Sequence, residues 1–485
     1  MLADVALAVR ELPADLETPL SVYLKLAGKG PSFLLESVTG GEQVARYSFI
    51  GVHPRQAFVF RGNGMTVEAP SRGSSGPELR EESVAGPFVG LRQAIHAAGA
   101  VDIQRQAGIP RFSGGLVGYL GYETVRFIEP SVPLVPPSDI PDAIFLQADT
   151  LVAFDHAANR LVLMSHGPDA RARLDEITDR LNGKLDLTRL RVKKGANGKP
   201  SHLRSNMTQK QFEQTVLKAK EHIAAGDIFQ AVLSQRLSCE TDADPLAIYR
   251  ALRRLNPSPY MYFFDFSGLA SAGPEPLRII GASPEMHVRL EGRIATMRPI
   301  AGTRRRGASP AEDQTLEAEL LADPKERAEH TMLIDLARND LGRVCQYGSL
   351  RVPQQMVVEH YSHVMHIVSQ VEGELRPELD ALDLMQATFP AGTVSGAPKV
   401  RAMQIIHDLE VQPRGPYAGA VGYFSYDGSM DTCITIRTLV MQGKQVSVQA
   451  GAGIVADSDP ESEYQEALNK ARALIVAVEK AGEEW

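Results

Sequence analysis

The chain has 485 residues, of which 44% are hydrophobic, so it can bury a large core in two or more domains or in one oversized domain. Its formal net charge of -8 argues against nucleic-acid binding, because phosphate recognition needs a basic face. The three cysteines form no CxxC pair, which favours a reducing cytosol over a disulfide framework or a structural zinc site. We find no signal peptide and no apolar run of about 18 residues, so we expect a cytoplasmic protein without a membrane span.

Two breaks in composition predict how the chain is organised. Residues 69–77 form a Gly/Ser/Pro loop, and residues 191–200, RVKKGANGKP, are basic and rich in turn formers, as is typical of a linker. We therefore divide the chain into an N-terminal region, residues 1–190, and a C-terminal catalytic region, residues 205–485.

Short β-type runs dominate the N-terminal region. Strands are predicted at residues 47–51, 57–60, 114–122 and 145–154. These runs are brief and separated by turn-forming residues, so this part of the chain is predicted to be strand-rich.

Helices and strands are interleaved in the C-terminal region. A capping box at Thr208 and Gln211 predicts a helix that ends at Gly226. Residues 228–234 are predicted to form a buried strand, and residues 445–453 another strand that runs into a Gly-rich turn. Because no βαβ rhythm is present, we predict a mixed α/β fold rather than a doubly wound one.

Two predicted helices begin with the same arrangement of acids. One carries Glu326 and Glu329 as an ExxE pair, and Glu329 heads its apolar face. The last helix carries a second pair, Glu463 and Glu466, and the spacing does not choose between its two members. Acids in a first turn ordinarily serve the helix macrodipole, and spacing alone favours that role. The alternative is a hard divalent cation, with Mg²⁺ the suitable ion, held by carboxylates from both helices.

Several short segments are typical of anion-binding sites. Residues 298–307 combine four arginines with a Gly-Thr turn, and residues 391–399 and 451–453 are Gly-rich segments whose backbone N–H groups could hold carboxylates or phosphates. Each alone is equally consistent with a tight connection. Their occurrence together with Arg437 favours an anionic substrate, while the absence of a P-loop motif gives no support to ATP use.

These segments resemble the chorismate-utilising enzymes and, within that family, the anthranilate synthase component I branch. The resemblance covers nearly the whole chain and is strongest over residues 208–477. Its motifs are RPIAGT at 298–303, DPKERAEH at 323–330, DLARND at 335–340, YSHVMH at 361–366, FPAGTVSGAPK at 389–399, GPYAGAVG at 415–422 and GAGIV at 451–455. It implies a large mixed α/β fold in which two β-sheets pack face to face as a β-sandwich flanked by helices.

The same resemblance implies a substrate and a metal. The substrate would be chorismate, a dianion, with Mg²⁺ bridging its ring carboxylate to Glu329 and Glu466. Glu326 and Glu463 match the outer positions of the ExxE pairs and are expected to hold metal-bound waters. The positions that match chorismate contacts are Gly302, Thr303, Tyr417, Arg437, Gly451, Ala452, Gly453 and Lys470.

Two further residues match catalytic positions of the family. Glu285 falls on the general acid that protonates the departing C4 hydroxyl when a nucleophile adds at C2. His366 falls on the histidine of the later step, which removes the C2 proton and expels pyruvate. Outside the resemblance, Glu285 is interpreted as a surface glutamate after a Pro turn and His366 as a hydrogen-bonded core histidine.

Two positions predict the nucleophile. Relatives in the folate branch carry a nucleophilic lysine where this chain has Ala301, and isochorismate and salicylate synthases carry a water-activating lysine where it has Gln230. We therefore expect an external nucleophile, ammonia, for which Ala301 leaves room. Because no cysteine lies in a GxCxG-like elbow, ammonia is expected from a separate glutamine amidotransferase subunit, component II, with which the resemblance implies a heterotetramer.

Two other segments resemble the family's feedback site for L-tryptophan. The matching residues are Ser37, Pro259, Tyr260 and Met261, with Arg46 expected near the carboxylate of the ligand. Outside the resemblance, the first segment is a strand end and the second a turn with two prolines. The resemblance implies allosteric inhibition by tryptophan, in the manner of a two-state switch.

The implied function is that of an anthranilate synthase large subunit, an Mg²⁺-dependent carbon–oxygen lyase at the first committed step of tryptophan biosynthesis. One alternative is aminodeoxychorismate synthase component I of the folate branch, which Ala301 and the tryptophan motif disfavour. The other is a tryptophan-binding regulatory protein on an inactive scaffold. That alternative predicts the loss of Glu285, Glu329, His366 or Glu466, and all four are present.

Overall fold

A computed structural model of the chain describes residues 7–38, 46–69, 76–98, 108–133, 138–185, 202–361 and 364–481. The predicted linker at 191–200 and most of the predicted loop at 69–77 lie outside these ranges. The described residues form ten α-helices, none of which is long and apolar enough to cross a membrane. They are α1 (Pro19–Leu26), α2 (Pro87–Ala97), α3 (Ala170–Leu181), α4 (Gln209–Ala224), α5 (Pro245–Leu255), α6 (Pro310–Ala322), α7 (Pro324–Gly342), α8 (Ala381–Thr388), α9 (Lys399–Leu409) and α10 (Pro460–Ala481).

The strands of the described residues are numbered in chain order. Those before the predicted linker are β1 (Leu7–Pro13), β2 (Ser32–Glu36), β3 (Tyr47–Val52), β4 (Ala57–Arg61), β5 (Gly64–Ala69), β6 (Glu78–Ser83), β7 (Gly115–Leu120), β8 (Ala143–Ala148), β9 (Thr150–Asp155) and β10 (Arg160–His166). Those after it are β11 (Arg204–Ser205), β12 (Gln230–Glu240), β13 (Tyr260–Asp265), β14 (Leu277–Ser283), β15 (Met286–Glu291), β16 (Ile294–Met297), β17 (Ile300–Arg305), β18 (Arg351–His360), β19 (Val364–Glu374), β20 (Gly396–Ala397), β21 (Ala420–Ser425), β22 (Met430–Ile434), β23 (Thr438–Gln442) and β24 (Gln445–Ile454).

These strands form two antiparallel sheets. The first has the order β1-β10-β9-β3-β2-β13-β14-β23-β24-β12-β11, and β20 also pairs with β12. The second has the order β17-β19-β16-β15-β22-β21-β7-β8-β4-β5-β6, and β18 also pairs with β19. Each sheet combines strands from residues 1–190 with strands from residues 205–485, so the two regions distinguished in the sequence share both sheets.

The two sheets pack face to face over a core to which both contribute. Phe33 and Phe264 belong to the first sheet, Val117 and Tyr423 to the second, and Phe112 stacks on Tyr423 with ring centroids 4.3 Å apart. A stacked aromatic pair adds about 1 kcal/mol beyond its area burial. Helices α1, α3, α4, α5, α9 and α10 cover the outer face of the first sheet, and α2, α7 and α8 that of the second. The predicted β-sandwich flanked by helices is confirmed.

Capping residues fix the starts of the helices that matter for function. Thr208 and Gln211 form the predicted capping box of α4, and Gly226, with a φ of +82°, follows its end. Asp323 caps α7 through backbone N–H groups of the first turn, and Asp459 accepts a hydrogen bond from the N–H of Ser462 at the start of α10. Both ExxE pairs therefore lie in the opening turns of their helices, as predicted.

Two strand predictions differ from the structure. The run at 145–154 is two strands, since β8 belongs to the second sheet and β9 to the first, and the chain crosses between them at Asp149. Asp149 is held there as the acceptor of a 2.5 Å hydrogen bond from the Tyr426 hydroxyl. The predicted turn at the end of 445–453 is also wrong, because Gly451 and Gly453 pair with β12 inside β24.

Candidate active site

A cavity of about 590 Å³ lies where the two sheets meet helices α7 and α10. Strands β12 and β24 of the first sheet and β17 and β19 of the second supply part of its wall. The opening turns of α7 and α10 supply the carboxylates of both ExxE pairs. Segments that are far apart in sequence therefore face one enclosed space.

Nearly all predicted catalytic, substrate and metal residues line this cavity. They are Glu285, Gly302, Thr303, Glu329, His366, Tyr417, Arg437, Gly451, Gly453, Glu466 and Lys470. Ala452 does not, because strand alternation turns its side chain into the core formed by α4, α9 and β12. The assignment of Ala452 to the substrate site therefore stays a prediction, and only for its backbone.

Glu285 lies in the turn between β14 and β15 and is only 5% exposed. Burial raises the pKa of its carboxyl to about 8, although hydrogen bonds from Thr393 Oγ1 at 2.7 Å and from the backbone N–H of Ile300 oppose the shift. The carboxyl therefore carries its proton at neutral pH, and two donors are in place to stabilise the anion that remains after proton transfer. This arrangement suits a general acid.

His366 lies on β19 directly opposite Thr303 of β17. Its Nδ1 is 2.9 Å from the carbonyl oxygen of Gly302 and 3.1 Å from Thr303 Oγ1. Because a carbonyl oxygen only accepts, Nδ1 carries the proton and Nε2 keeps its lone pair. Burial lowers the pKa of the ring, so that it is neutral at neutral pH and Nε2 can act as a base.

A β-bulge at Gly302 shapes the wall between these two groups. The register of β17 on β19 shifts between Ala301 and Thr303, and Gly302 has a φ of +67°. A Cβ at Gly302 would lie 3.1 Å from Glu326 Oε2, so glycine is needed for both the backbone conformation and the nearby carboxylate. The methyl group of Ala301 faces the same cavity.

Arg437 and Tyr417 provide polar contacts on another wall. Arg437 has a φ of 51°, and Ala418, next to Tyr417, has a φ of 64°, so strained backbone accompanies both positions. Arg437 Nη1 donates to the carbonyl oxygen of Lys470 at 2.9 Å, and none of the described carboxylates forms an ion pair with the guanidinium. Burial raises the pKa of Tyr417 to about 12, so it remains a hydroxyl donor. An anionic ligand could use both groups.

Four carboxylates line the side of the cavity made by α7 and α10: Glu326, Glu329, Glu463 and Glu466. Burial, reinforced by the neighbouring carboxylates, raises the pKa of Glu329 and of Glu463. Gln230 Nε2 donates to Glu329 Oε1 at 3.3 Å and fixes its orientation. The wall therefore concentrates negative charge where the resemblance implies a dianionic substrate.

The oxygen donors of this wall fit Mg²⁺. Lys470 Nζ lies 2.5 Å from Glu466 Oε1, and Arg304 Nη1 lies 2.9 Å from Glu326 Oε1, so two of the four charges have a cationic partner. Across the described ranges, no three His, Cys, Asp or Glu side chains converge closely enough to form a complete metal site. A cation held here would take few protein ligands and complete its shell with water and substrate oxygens, as Mg²⁺ commonly does.

The arginines of 298–307 bind the protein's own carboxylates. Ion pairs join Arg298 to Glu359, Arg304 to Asp323 and Glu326, Arg305 to Glu312, and Arg306 to Asp313. The interpretation of this cluster as a substrate anion site is therefore wrong for the side chains. The segment contributes instead through Ala301, Gly302 and Thr303, which line the cavity.

Thr393 and Gln449 are among the polar residues of the wall that sequence reasoning missed. Thr393 holds the carboxyl of Glu285, and Gln449 of β24 lines the cavity with its amide bonded to Ser234 Oγ at 2.8 Å. Thr393 stands in the Gly-rich segment 391–399, and Gln449 interrupts a strand of small and apolar residues. A polar side chain between small or apolar neighbours is the signal that could have identified both.

The predicted tryptophan residues lie away from this cavity, in or directly next to three neighbouring strands, β13, β2 and β3. Ser37 directly follows β2, whose Glu36 pairs with Met261. Tyr260 points between the sheets and donates to Asp431 Oδ1 at 3.0 Å, while Met261 packs in the core on the opposite face. Buried Glu36 Oε1 and Ser37 Oγ have no hydrogen-bond partner among the described residues.

The two other predicted residues flank this group. Pro259 immediately precedes β13, and Arg46 immediately precedes β3. The Arg46 guanidinium bonds to Asp155 at 3.2 Å and lies over the ring of Tyr47 at 4.9 Å. The structure therefore brings the five predicted residues to one end of adjacent strands.

Comparison with known proteins agrees with the geometry. The sequence profile of the chorismate binding enzyme family matches residues 52–476. Anthranilate synthase component 1 of Aquifex aeolicus is 48% identical over 488 residues, which cover 98% of this chain and 94% of that protein. The protein of the same name from Thermus thermophilus is 46% identical over 474 residues, or 96% of each chain.

A solved structure extends the comparison to the fold. The crystal structure of anthranilate synthase component I from Streptococcus pneumoniae TIGR4 aligns with a TM-score of 0.77 and 34% identity, covering 96% of this chain and 99% of that one. The chain therefore belongs to the chorismate binding enzyme family and, within it, to the anthranilate synthase component 1 branch.

Proposed function

We propose that the protein is the chorismate-converting subunit of an anthranilate synthase, which turns chorismate and ammonia into anthranilate, pyruvate and water. The observation that carries the proposal is the placement of a protonated Glu285 and a neutral His366 on one cavity. An acid and a base poised in opposite protonation states are what an addition–elimination followed by a proton abstraction requires.

The first step adds ammonia at C2 of the ring. The π electrons shift and the C4–O bond breaks, and Glu285 donates its proton so that the hydroxyl leaves as water. The Thr393 hydroxyl, 2.7 Å from Glu285 Oε1, then stabilises the carboxylate. Burial keeps Glu285 protonated at neutral pH, so that the proton is available when the hydroxyl leaves.

The second step forms the aromatic ring. Nε2 of His366 takes the proton from C2, the C–H electrons enter the ring, and the bond from C3 to the enolpyruvyl oxygen breaks to release pyruvate after proton uptake. The hydrogen bond from Nδ1 to the Gly302 carbonyl holds the ring in the required tautomer. His366 thus serves the lyase half of the reaction and Glu285 the amination half.

Substrate binding uses the cationic and acidic walls together. Arg437 and Lys470 are suited to the substrate carboxylates, and the donor chemistry of Glu329 and Glu466 is suited to Mg²⁺, with Glu326 and Glu463 positioned to hold bound water. When bound, Mg²⁺ would neutralise the carboxylate excess and anchor the ring carboxylate of the substrate.

The nucleophile is proposed to be ammonia from a glutaminase subunit, component II. Ala301 and Gln230 both line the cavity, and neither can act as a nucleophile or as a strong base. An external amine that is already reactive at neutral pH meets the requirement. The name component 1 carried by the relatives also implies a second component.

Feedback inhibition by L-tryptophan is proposed for the region around Ser37 and Tyr260. The unpartnered oxygens of Glu36 and Ser37 could accept hydrogen bonds from an ammonium group. Tyr260 pairs with Ser283 across β13 and β14, and Ser283 lies two residues before Glu285. A ligand that shifts β13 would therefore act close to the general acid.

The test is a fluorescence assay for anthranilate with purified chain, chorismate, Mg²⁺ and ammonium at mildly alkaline pH. We expect emission that EDTA abolishes and that tryptophan suppresses. Loss of chorismate with a non-aromatic amino product would instead support the aminodeoxychorismate-forming alternative. A folded protein that leaves chorismate intact would contradict the proposed activity and support a regulatory scaffold.

A further inference from the structure

A buried arginine lies directly behind the wall of the cavity. Arg414 is 3% exposed and does not itself line the cavity, yet its guanidinium reaches three segments that do. Nη1 donates to the carbonyl oxygen of Val394 at 2.8 Å, and Nη2 donates to that of Val232 at 2.7 Å. The guanidinium also lies 5.5 Å from the ring centroid of Tyr417.

A carboxylate balances this buried charge and extends the network. Glu410 accepts from Arg414 Nε at 2.8 Å and from Nη2 at 2.7 Å. Glu410 also accepts from the N–H and the hydroxyl of Ser234, each at 2.8 Å, and Ser234 Oγ accepts from the Gln449 amide. The orientation of Gln449 on β24 is therefore tied to the same group.

A second carboxylate fixes the backbone at this point. Glu123 accepts from the N–H of Arg414 at 2.6 Å and from that of Gly415 at 2.9 Å. The arginine thus has its backbone anchored to the short helical turn at 122–127 while its side chain reaches the cavity wall. Planar, rigid donors of this kind fix the distance between the groups that they join.

The connection reaches the proposed general acid in one step. Val394, whose carbonyl Arg414 binds, follows Thr393, whose hydroxyl donates to Glu285 Oε1 at 2.7 Å. We propose that Arg414 is a positioning residue that holds this turn, β12 and Tyr417 at fixed distances and thereby aligns Glu285 with the substrate. The proposal rests on the proposed function, since it takes Glu285 as the acid.

Two substitutions of Arg414 test the role. Arg414→Lys keeps the charge but cannot bind Glu410 in a fork and both carbonyls together, and we expect kcat to fall about tenfold while KM for chorismate stays within about twofold. Arg414→Met removes the donors, and we expect a fall of about a hundredfold or more, as misplacement of a reacting group by about 1 Å causes. Arg173→Met is the matched control.

The control removes a half-buried arginine that joins several side chains at the other end of the first sheet. Arg173 donates to Thr150 Oγ1 at 3.1 Å and Ser165 Oγ at 3.0 Å. It contacts no residue of the cavity, so its loss is expected to lower the melting temperature without changing kcat. A kcat loss shared by Arg173→Met and the Arg414 variants would mean that destabilisation alone explains the effect.

A double-variant cycle identifies the route of action. If Arg414 acts through the turn that holds Thr393, Thr393→Val should lower kcat by a much smaller factor in the Arg414→Lys background than in the wild type. Additive losses would overturn the proposal, as would a folded Arg414→Lys with wild-type kcat. Should Arg414→Met fail to fold, Glu410→Gln probes the same network and is expected to lower kcat with KM unchanged.

The wild type in the same assay separates the two levels of inference. Absence of anthranilate from the wild type would contradict the proposed function. Wild-type turnover with unaffected Arg414 variants would contradict the positioning role alone.

Discussion

The catalytic cavity and the candidate tryptophan region use the sheets in different ways. In the cavity, side chains from both sheets and two helices converge on one space, so that Glu285, His366 and Glu466 share it. In the tryptophan region, the predicted residues lie in or directly next to three neighbouring strands of one sheet. Strand alternation there separates Tyr260, which points between the sheets, from Met261, which packs under the outer helices.

The contrast teaches that a run of matching residues on a strand is not a set of ligand contacts. The middle residue of the run at 451–453, Ala452, faces away from the cavity, whereas Gly451 and Gly453 line it. By the same rule, Tyr260 and Met261 cannot both present their side chains to one ligand. Residues on convergent helices and turns escape this restriction, which is why the four carboxylates of the two ExxE pairs reach one cavity.

The largest expected effect is at the general acid. Glu285→Gln removes the proton donor while keeping its size, and we expect kcat to fall by roughly 10²–10⁴-fold. For the wild type, the turnover rate divided by the concentration of free ammonia should fall as pH rises through about 8, because the carboxyl of Glu285 then loses its proton. A turnover rate that stays constant above pH 8, or a Glu285→Gln variant with wild-type turnover, would contradict the role of Glu285 as general acid.

The same variant should be more stable than the wild type. The pKa of Glu285 is raised from 4.5 to about 8, so the unfolded chain releases this proton at lower pH than the folded chain. The contribution of Glu285 to the free energy of unfolding is therefore fully present below the pKa of the unfolded chain and is lost as pH rises toward 8. At pH 7 this loss lowers the free energy of unfolding of the wild type by on the order of 3 kcal/mol. In denaturant titrations, Glu285→Gln should remove this dependence of the free energy of unfolding on pH.

The next effect separates the two halves of the reaction. His366→Ala leaves Glu285 and the amination step in place, so we expect chorismate consumption to continue while anthranilate formation falls about a hundredfold and a non-aromatic amino product accumulates. Chromatography of the reaction mixture measures both. His287→Ala, at a buried histidine outside the cavity lining, is the control for loss of a core ring. Parallel loss of both activities in His366→Ala would contradict the assignment.

Much of the fold and the site could be predicted from the sequence where the signal is local. Capping residues located α4, α7 and α10, and the contiguous motifs contain about half of the residues that line the cavity. The helix starts depend on short-range rules, such as the N-cap of Asp323. The mixed α/β class followed from the order of the elements.

What could not be predicted depends on long-range pairing. The ion pairs of Arg298 with Glu359 and of Arg304 with Glu326 form only once the strands and helices are assembled, so four arginines in one run resembled an anion site. The switch of sheet at Asp149 is likewise set by what each strand finds as a partner. Arg414 gave no signal at all, because its role is defined by carbonyl groups of distant segments.

A smaller effect is expected in the tryptophan region, and it tests the alternation rule directly. Tyr260→Phe removes the hydroxyl that bonds Asp431, and we expect the tryptophan concentration for half inhibition, measured against each variant's own uninhibited rate, to rise about tenfold. Met261→Leu conserves volume in the core on the other face and should change the tryptophan concentration for half inhibition by less than about twofold. The reverse order of effects would place the ligand on the Met261 face.

The smallest effect is expected at Arg305, the most exposed arginine of the run at 298–307. Its side chain is 67% exposed and pairs only with Glu312 across 2.6 Å among the described carboxylates. An exposed ion pair of this kind contributes little, so Arg305→Ala should leave KM for chorismate within about twofold. A rise in KM comparable to that of Arg437→Met would mean that Arg305 leaves Glu312 when substrate binds. Equal KM values for Arg305→Ala and the wild type would exclude Arg305 from recognition of the anion and leave that role to residues of the cavity wall such as Arg437, Tyr417 and Lys470.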